Sequence, residues 1–117
     1  MSPNDRPLVL LAGGLGTPLM PAAARREAGY LLRQVQQGVM LTMPESRPMP
    51  GIGPRCHELR VEADRGEWRV VYRTDSDAIV VAEIFQKKSR TTPKAVLDRC
   101  KARYREYDRL RKELGRG

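Results

Sequence analysis

Apolar and polar residues alternate with a period of two through the middle of this 117-residue chain, and this pattern constrains the fold more than any other feature. Leu59 and Val61 alternate with charged neighbours, and Trp68, Val70 and Tyr72 alternate with a second set of mostly charged residues. Successive side chains of a β-strand point to opposite faces of a sheet, so each segment predicts a strand with one buried face. Trp68 and Tyr72 are therefore expected in the core.

Turn-forming residues divide this region into three strands. Residues 64–66 separate the two alternating segments and residues 75–77 follow the second, and the Asp, Ser and Gly found there are typical of tight turns. Residues 78–85 are nearly all apolar and end in Phe85, which indicates a third strand covered on both faces. Strands joined by such short turns predict an antiparallel meander.

A short strand and two helices are predicted around the meander. Residues 8–11 are fully apolar, and a helix over about residues 21–37 is followed by Gly38, a favourable residue just past a helix end. A second helix opens with Thr92 as N-cap and Pro93 in its first turn. The apolar stripe of this second helix comprises Val96, Leu97, Cys100, Tyr104, Tyr107 and Leu114.

Residues 42–55, between the first helix and the meander, hold four prolines and two glycines. We expect an irregular loop there, because proline removes a backbone donor and breaks regular structure. The pattern as a whole predicts a single α+β domain over residues 1–117. Its twisted antiparallel sheet, a short N-terminal strand plus the three-strand meander, is flanked by an N-terminal helix and a C-terminal helix.

The chain is strongly basic. It has 22 Lys and Arg against 14 Asp and Glu, a formal net charge of +8, and 17 of the cations are Arg. Such a surface favours a polyanionic partner, and the guanidinium fork suits the phosphates of RNA or DNA. An arginine-rich genome would give the same composition, so composition alone leaves both explanations open.

Two features predict a cytoplasmic protein. Cys56 and Cys100 are too few and too far apart for a secreted disulfide scaffold, and we expect free thiols in a reducing compartment. Near the N-terminus Asp5 cancels the charge of Arg6, and glycines at residues 13–14 break the apolar run, unlike a signal peptide. No apolar run approaches the roughly 20 residues that cross a bilayer, so no membrane partner is expected.

Strand parity puts several cations on one sheet face. Because the apolar residues of each strand must face the core, Arg60, Arg69 and Arg73 share the opposite face. The last predicted strand is followed by a further basic run made of Lys87, Lys88, Ser89 and Arg90. An outward-facing Arg69 is expected to hold a phosphodiester and to contribute little to folding. The alternative is a solvated charged face in which Glu58 and Glu62 pair with the arginines.

His57 is the single histidine of the chain. Strand parity places it on the core side, where a packed ring is the more common role and a catalytic role is the alternative. Without a second histidine or a carboxylate pair the chain lacks metal ligands at suitable spacing, so neither a metal ion nor another cofactor is expected.

Four stretches of the chain form a recognisable set. They are residues 24–32 (ARREAGYLL), 47–53 (RPMPGIG) with 58–60 (ELR), 68–72 (WRVVY), and 85–89 (FQKKS) with 92–94 (TPK). In this order and spacing they resemble the phage-derived, HigB-like branch of the RelE/ParE toxin superfamily. The resemblance covers roughly residues 7–107 and implies a RelE-like fold.

The resemblance implies the toxin of a type II toxin–antitoxin pair. Toxins of the RelE and HigB types are cytoplasmic endoribonucleases that cleave mRNA, usually in the ribosomal A site, and so inhibit translation. The implied partners are mRNA and the ribosome, together with a cognate antitoxin that is often a helix-turn-helix protein. The alternative within the superfamily is a non-catalytic, ParE-like binder, either a gyrase poison or an inactive homologue.

The resemblance also implies site residues. Arg60 falls where RelE-type toxins carry a cation on the second strand, and Arg69 matches their phosphate-binding arginine. Glu58 stands where those toxins have a lysine, and their tyrosine in the last segment has no match. The remaining catalytic candidates, which with Glu58 leave the general base open, are Lys87, Lys88 and His57. The RNA-binding candidates are Arg47, Arg55, Arg73, Arg90 and Lys94.

Overall fold

The computed structural model describes residues 5–11, 20–63 and 66–115. The elements within these residues are β1 (Leu8–Leu10), α1 (Ala22–Gln36), β2 (Ser46–Pro48), β3 (Cys56–Ala63), β4 (Gly66–Thr74), β5 (Ile79–Lys87) and α2 (Lys94–Glu113). The predicted α+β class, both helices and the three meander strands are confirmed. Residues 13–14 of the glycine break and residues 64–65 of the first predicted turn lie outside the described residues. Neither helix in the described part of the chain is long and apolar enough to cross a membrane.

The five strands form one open, mixed sheet in the spatial order β1-β5-β4-β3-β2. β3, β4 and β5 pair antiparallel, as predicted for the meander. β1 runs parallel to β5, so the sheet is mixed rather than wholly antiparallel. The N-terminal segment is held at this edge because the backbone N–H of Ile79 donates to the carbonyl of Pro7, and that of Leu11 donates to the carbonyl of Val81.

The proline-rich segment 42–55 contains a strand that the sequence pattern does not predict. β2 pairs antiparallel with residues 57–59 at the edge of the sheet. Pro48 is compatible with this position because it ends an edge strand, where the missing N–H costs no hydrogen bond on the open side. The Ser46 hydroxyl lies 2.6 Å from the hydroxyl of Tyr72, which fixes the edge strand to the core.

Each face of the sheet packs against one helix. α1 covers the face formed by the alternating apolar residues, and its buried residues are Ala24, Ala28, Leu31, Leu32 and Val35. α2 covers the opposite face with Val96, Cys100 and Tyr104. The predicted core residues Trp68, Tyr72 and Phe85 are buried. Leu114 does not belong to the core and is 74% exposed, because the buried residues of α2 end at Tyr104.

The packing of α2 buries two of the arginines that strand parity places on the charged face of the sheet. The prediction that Arg69 and Arg73 point into solvent is wrong, since they are only 1% and 8% exposed. Parity places them correctly on the face opposite the α1 core, but α2 and the segment leading into it lie on that face. Arg60, closer to the sheet edge, is half-buried.

Candidate nucleic-acid interface

Three predicted cations meet where β3, β4 and β5 lie side by side. In the strand register Arg60 is opposite Arg69, and Lys87 is opposite Glu67, two residues before Arg69 on the same face. These four residues line one open cavity of about 540 Å³ together with Lys88, Ser89 and Arg90. We call it the cationic cavity, because Glu67 is the single carboxylate among these lining residues. Within the described residues no group of three or more His, Cys, Asp or Glu side chains could hold a metal ion.

A fully buried carboxylate lies beside this cavity. Glu58 is 0% exposed. Its Oε1 accepts a hydrogen bond from Arg47 at 3.2 Å and lies 3.5 Å from the Nε of Arg69. The hydroxyl of Thr92 donates to its Oε2 at 2.6 Å. A buried carboxylate is tolerated only when it is paired and hydrogen-bonded, so these three groups hold the charge of Glu58 in place.

The contact of Thr92 corrects the predicted start of the second helix. α2 begins at Lys94, its N-cap is Pro93, and no side chain caps it. The Thr92 hydroxyl instead donates to Glu58. A hydrogen bond to an ionised carboxylate is roughly twice as strong as one between neutral groups, which explains this choice of partner. The bond ties the segment between β5 and α2 to β3.

Arg69 is held rigidly in the wall of the cationic cavity. Its Nη2 donates to Glu67 at 3.2 Å and its Nη1 donates to the carbonyl of Trp68 at 3.2 Å. Its buried Nε has no hydrogen-bond partner among the described residues. The bonds of Nη1 and Nη2 and the ion pair between Nε and Glu58 fix this guanidinium, so its charge is preorganised in the wall of the cavity.

The other cations around the cavity are not paired with carboxylates of the described residues. In the described part of the chain, the cavity residues Arg60, Lys87, Lys88 and Arg90 form no salt bridge. Arg60 makes one long contact, from Nη1 to the sulfur of Met43 at 3.9 Å. Together these side chains give the cavity a surplus of positive charge, which favours an anionic ligand.

Lys87 has an acid–base equilibrium that depends on this environment. Burial lowers the pKa of Lys87 from its ordinary value of 10.5, and Glu58 opposes this shift. Three guanidinium groups reinforce the downward shift, those of Arg69, Arg47 and Arg60. A lysine with a lowered pKa is neutral more often than a free lysine, and the neutral amine accepts protons.

Most predicted site residues therefore converge at one end of the sheet. Those at or beside the cationic cavity are Arg47, Glu58, Arg60, Arg69, Lys87, Lys88 and Arg90. Those that lie elsewhere are His57, Arg55, Arg73 and Lys94. Lys94 is exposed on α2 and pairs with Asp98 at 2.8 Å.

His57 lies on the face that α1 covers. Its ring stacks on Tyr72 with the ring centres 5.2 Å apart, and Tyr72 belongs to the core on the α1 side. Burial lowers the pKa of His57. The ring is therefore packed, as strand parity indicates, and the sheet separates it from the cationic cavity.

Arg73 and Arg55 lie at the opposite end of β4 from the cavity. Arg73 donates to Asp75 at 2.7 Å and to Asp108 at 2.7 Å, and its guanidinium carbon lies 4.7 Å from the ring centre of Tyr104. Burial alone would lower the pKa of Arg73, but hydrogen bonds to the two aspartates raise it. Arg55 also pairs with Asp75, at 3.4 Å. These contacts give both arginines partners within the fold.

Sequence reasoning missed two contributions to the site. Glu67 could have been found from strand parity, because it lies two residues before Arg69 and shares its face. The role of Thr92 has no local signal, because its contact with Glu58 spans 34 positions of the chain. A threonine that precedes a proline and the apolar stripe of a helix is compatible with an N-cap as well as with this contact.

The fold and the cavity define a small basic α+β protein with a cavity lined mostly by Arg and Lys on its sheet. A comparison with family models matches residues 19–105 to the family described as Phage derived protein Gp49-like (DUF891). The match spans well over half of the chain and contains every residue of the cationic cavity, and the protein belongs to this family. The family is associated with toxins of toxin–antitoxin systems. No curated protein and no solved structure matches the chain.

Proposed function

We propose that this protein is the toxin of a type II toxin–antitoxin pair and that it cleaves mRNA in the cationic cavity without a metal ion. The observation that carries the proposal is the convergence of Arg60, Arg69 and Lys87 at one open cavity on a rigid sheet. A phosphodiester is the anion that a cavity of Arg and Lys side chains fits best. Membership of the Gp49-like family supports the toxin assignment.

Metal-independent cleavage of RNA is a transesterification. The 2′-hydroxyl loses its proton to a base and attacks the adjacent phosphorus, the bond from phosphorus to the 5′ oxygen breaks, and an acid protonates that oxygen. The products are a 2′,3′-cyclic phosphate and a 5′-hydroxyl. Cations accelerate this reaction because the five-coordinate transition state carries more negative charge than the phosphodiester.

The residues of the cavity divide these tasks in our proposal. Arg60 and Arg69 stabilise the transition state, since both residues line the cavity and the contacts of Arg69 with Glu67 and Trp68 hold its charge in place. Lys87 is the base, because its pKa is lowered, and Lys88 on the same cavity wall is the acid. Glu58 is less suited to accept the proton, since both of its oxygens are already bonded, and it serves to hold Arg69.

The proposed substrate is mRNA on the ribosome, and the proposed place of action is the cytoplasm. A net charge of +8 supports association with an RNA-rich particle, because Lys and Arg release the counterions of the phosphate backbone. We also propose a cognate antitoxin, of the helix-turn-helix kind, as the second partner. This proposal and ribosome dependence both rest on the resemblance to HigB-like toxins.

Primer extension on a reporter mRNA after brief induction of the protein tests the proposal. The native protein should create new 5′ ends within the coding sequence. Lys87→Met and Arg60→Gln should each reduce these ends about 100-fold, the usual effect of losing an acid–base group or a preorganised cation. Arg105→Gln is the matched control, because it removes one exposed charge from α2 outside the cavity and should leave cleavage unchanged. No new ends with the native protein would contradict the endonuclease proposal.

A non-catalytic binder on the same fold is the second candidate function. The observation that favours it is Glu58, which is buried and paired with Arg69 where RelE-type toxins have a lysine. A binder would inhibit growth without new mRNA ends, and Lys87→Met would not relieve that inhibition. The same induction experiment therefore separates the two candidates.

A further inference from the structure

A second cavity adjoins the cationic cavity and has the opposite charge. Its volume is about 520 Å³, and it shares Arg60, Glu67 and Arg69 with the first cavity. The remaining charged residues that line it form what we call the acidic wall, which consists of Glu27 on α1, Glu45 before β2 and Glu62 on β3. The sign of the charge therefore changes from one cavity to the other at the two shared arginines.

The carboxylates of the acidic wall are not neutralised. Within residues 5–11, 20–63 and 66–115, none of the three forms a salt bridge, whereas the boundary residue Glu67 pairs with Arg69 at 3.2 Å. Glu27 and Glu62 are exposed and Glu45 is half-buried. Charges of the same sign repel each other, and salt at about physiological concentration screens this repulsion only beyond roughly 8–10 Å. A phosphate close to the acidic wall is therefore disfavoured.

From this charge boundary we infer that the acidic wall limits how much of an RNA strand the site accepts. The inference rests on the proposed function. Phosphates bind on the side of Lys88 and Arg90, and the strand turns away from the sheet at Arg60 rather than continuing into the second cavity. The substrate at the site is then a short stretch of RNA backbone. Repulsion makes the three glutamates specificity-determining residues, because like charges suppress the wrong binding mode.

Salt-dependent binding of non-cleavable 2′-O-methyl oligouridylates of increasing length tests this inference. The logarithm of the association constant is plotted against the logarithm of the salt concentration. This plot falls with a slope of about 0.7 for each phosphate of a single strand that the protein neutralises. For the native protein this slope should stop growing after the first few nucleotides. For the wall variant, Glu27→Gln/Glu45→Gln/Glu62→Gln, the affinity should instead keep rising with length, because the repulsion that turns the strand away is gone. Each removed carboxylate should strengthen binding of the longest oligonucleotide about twofold. The three changes together should therefore strengthen it about tenfold in the wall variant.

A helix control separates a local effect from a change in net charge. Asp98→Asn/Glu106→Gln/Glu113→Gln removes the same number of carboxylates from exposed positions on α2 and should keep the native length dependence. The same length dependence in the wall variant as in the native protein overturns the inference and leaves RNA binding intact. An equal gain in the helix control also overturns it. No binding of any length by the native protein overturns the proposed function and the inference together.

Discussion

Replacing Arg69 by alanine removes one half of a buried ion pair. Arg69 is 1% and Glu58 0% exposed, and Nε lies 3.5 Å from Oε1. At this separation the attraction is about 5 kcal/mol for an effective dielectric constant of about 20. Two partners of Glu58 remain in the variant, Arg47 and Thr92, which lie 3.2 Å and 2.6 Å from its carboxylate in the native protein. We therefore expect a net loss of about 3 kcal/mol in the free energy of unfolding, the low end for breaking a buried pair.

Urea denaturation followed by the fluorescence of Trp68 measures this loss, since Trp68 is the single tryptophan and is 5% exposed. A loss of about 3 kcal/mol is a large share of the stability of a small domain, about 5–15 kcal/mol. Arg69→Ala/Glu58→Gln should lose about 1–3 kcal/mol less than the sum of the single changes, because a buried amide needs no counter-charge. A loss below about 1 kcal/mol for Arg69→Ala, or strict additivity, would refute the reasoning.

The burial of Arg69 also changes how a functional test of this residue is designed. An exposed arginine could be removed with little effect on folding, whereas loss of cleavage in Arg69→Ala could come from unfolding alone. The double variant with Glu58→Gln has no buried carboxylate left without its counter-charge and also leaves the cavity without this guanidinium. Under the proposed function its cleavage rate should still fall about 100-fold.

Three further predictions follow from the contacts and the pKa shifts. Arg60→Gln should reduce the salt slope of RNA binding by about 0.7, as for one lost phosphate contact, in a fluorescence anisotropy titration; an unchanged slope would mean that Arg60 contacts no phosphate. The cleavage rate should rise with pH through the pKa of Lys87, which lies below 10.5, because the base must be neutral. Arg60→Gln should move that midpoint to higher pH, since it removes a cation that lowers the pKa, and a flat pH–rate profile would exclude Lys87 as the base. Burial raises the pKa of Cys56 to about 11 and that of Cys100 to about 12. A thiol reagent near neutral pH should therefore modify both only after denaturation, and rapid modification of the native protein would contradict their burial.

The period-two alternation predicted more than the strands themselves. It put Arg60 and Arg69 on one face, and short turns between antiparallel strands bring Lys87 beside them. This succeeds because the direction of side chains alternates strictly along a strand, and a slip of one residue would expose the whole core face. The cations of the candidate site were therefore accessible to sequence reasoning.

The contacts that bury the charged residues of the sheet could not be predicted from the same alternation. Polar residues such as Glu58 and Arg69 usually face solvent, so alternation indicates exposure unless another element covers them. The partners that bury Glu58 are Arg47 and Thr92, which lie 11 and 34 positions away in the chain. No local pattern indicates contacts of this length. The sequence therefore predicts which face carries the charges but not the ion pair that fixes them.

The chemical ends of cleaved RNA test the central claim most directly. Purified protein is incubated with an mRNA on ribosomes, and the new ends are identified by mass spectrometry and by selective ligation. Transesterification in the cationic cavity predicts a 2′,3′-cyclic phosphate and a 5′-hydroxyl, and a 2′-deoxy substitution at the cut site should abolish cleavage. A 3′-hydroxyl with a 5′-phosphate, or equal cleavage by Lys87→Met and the native protein, would contradict it.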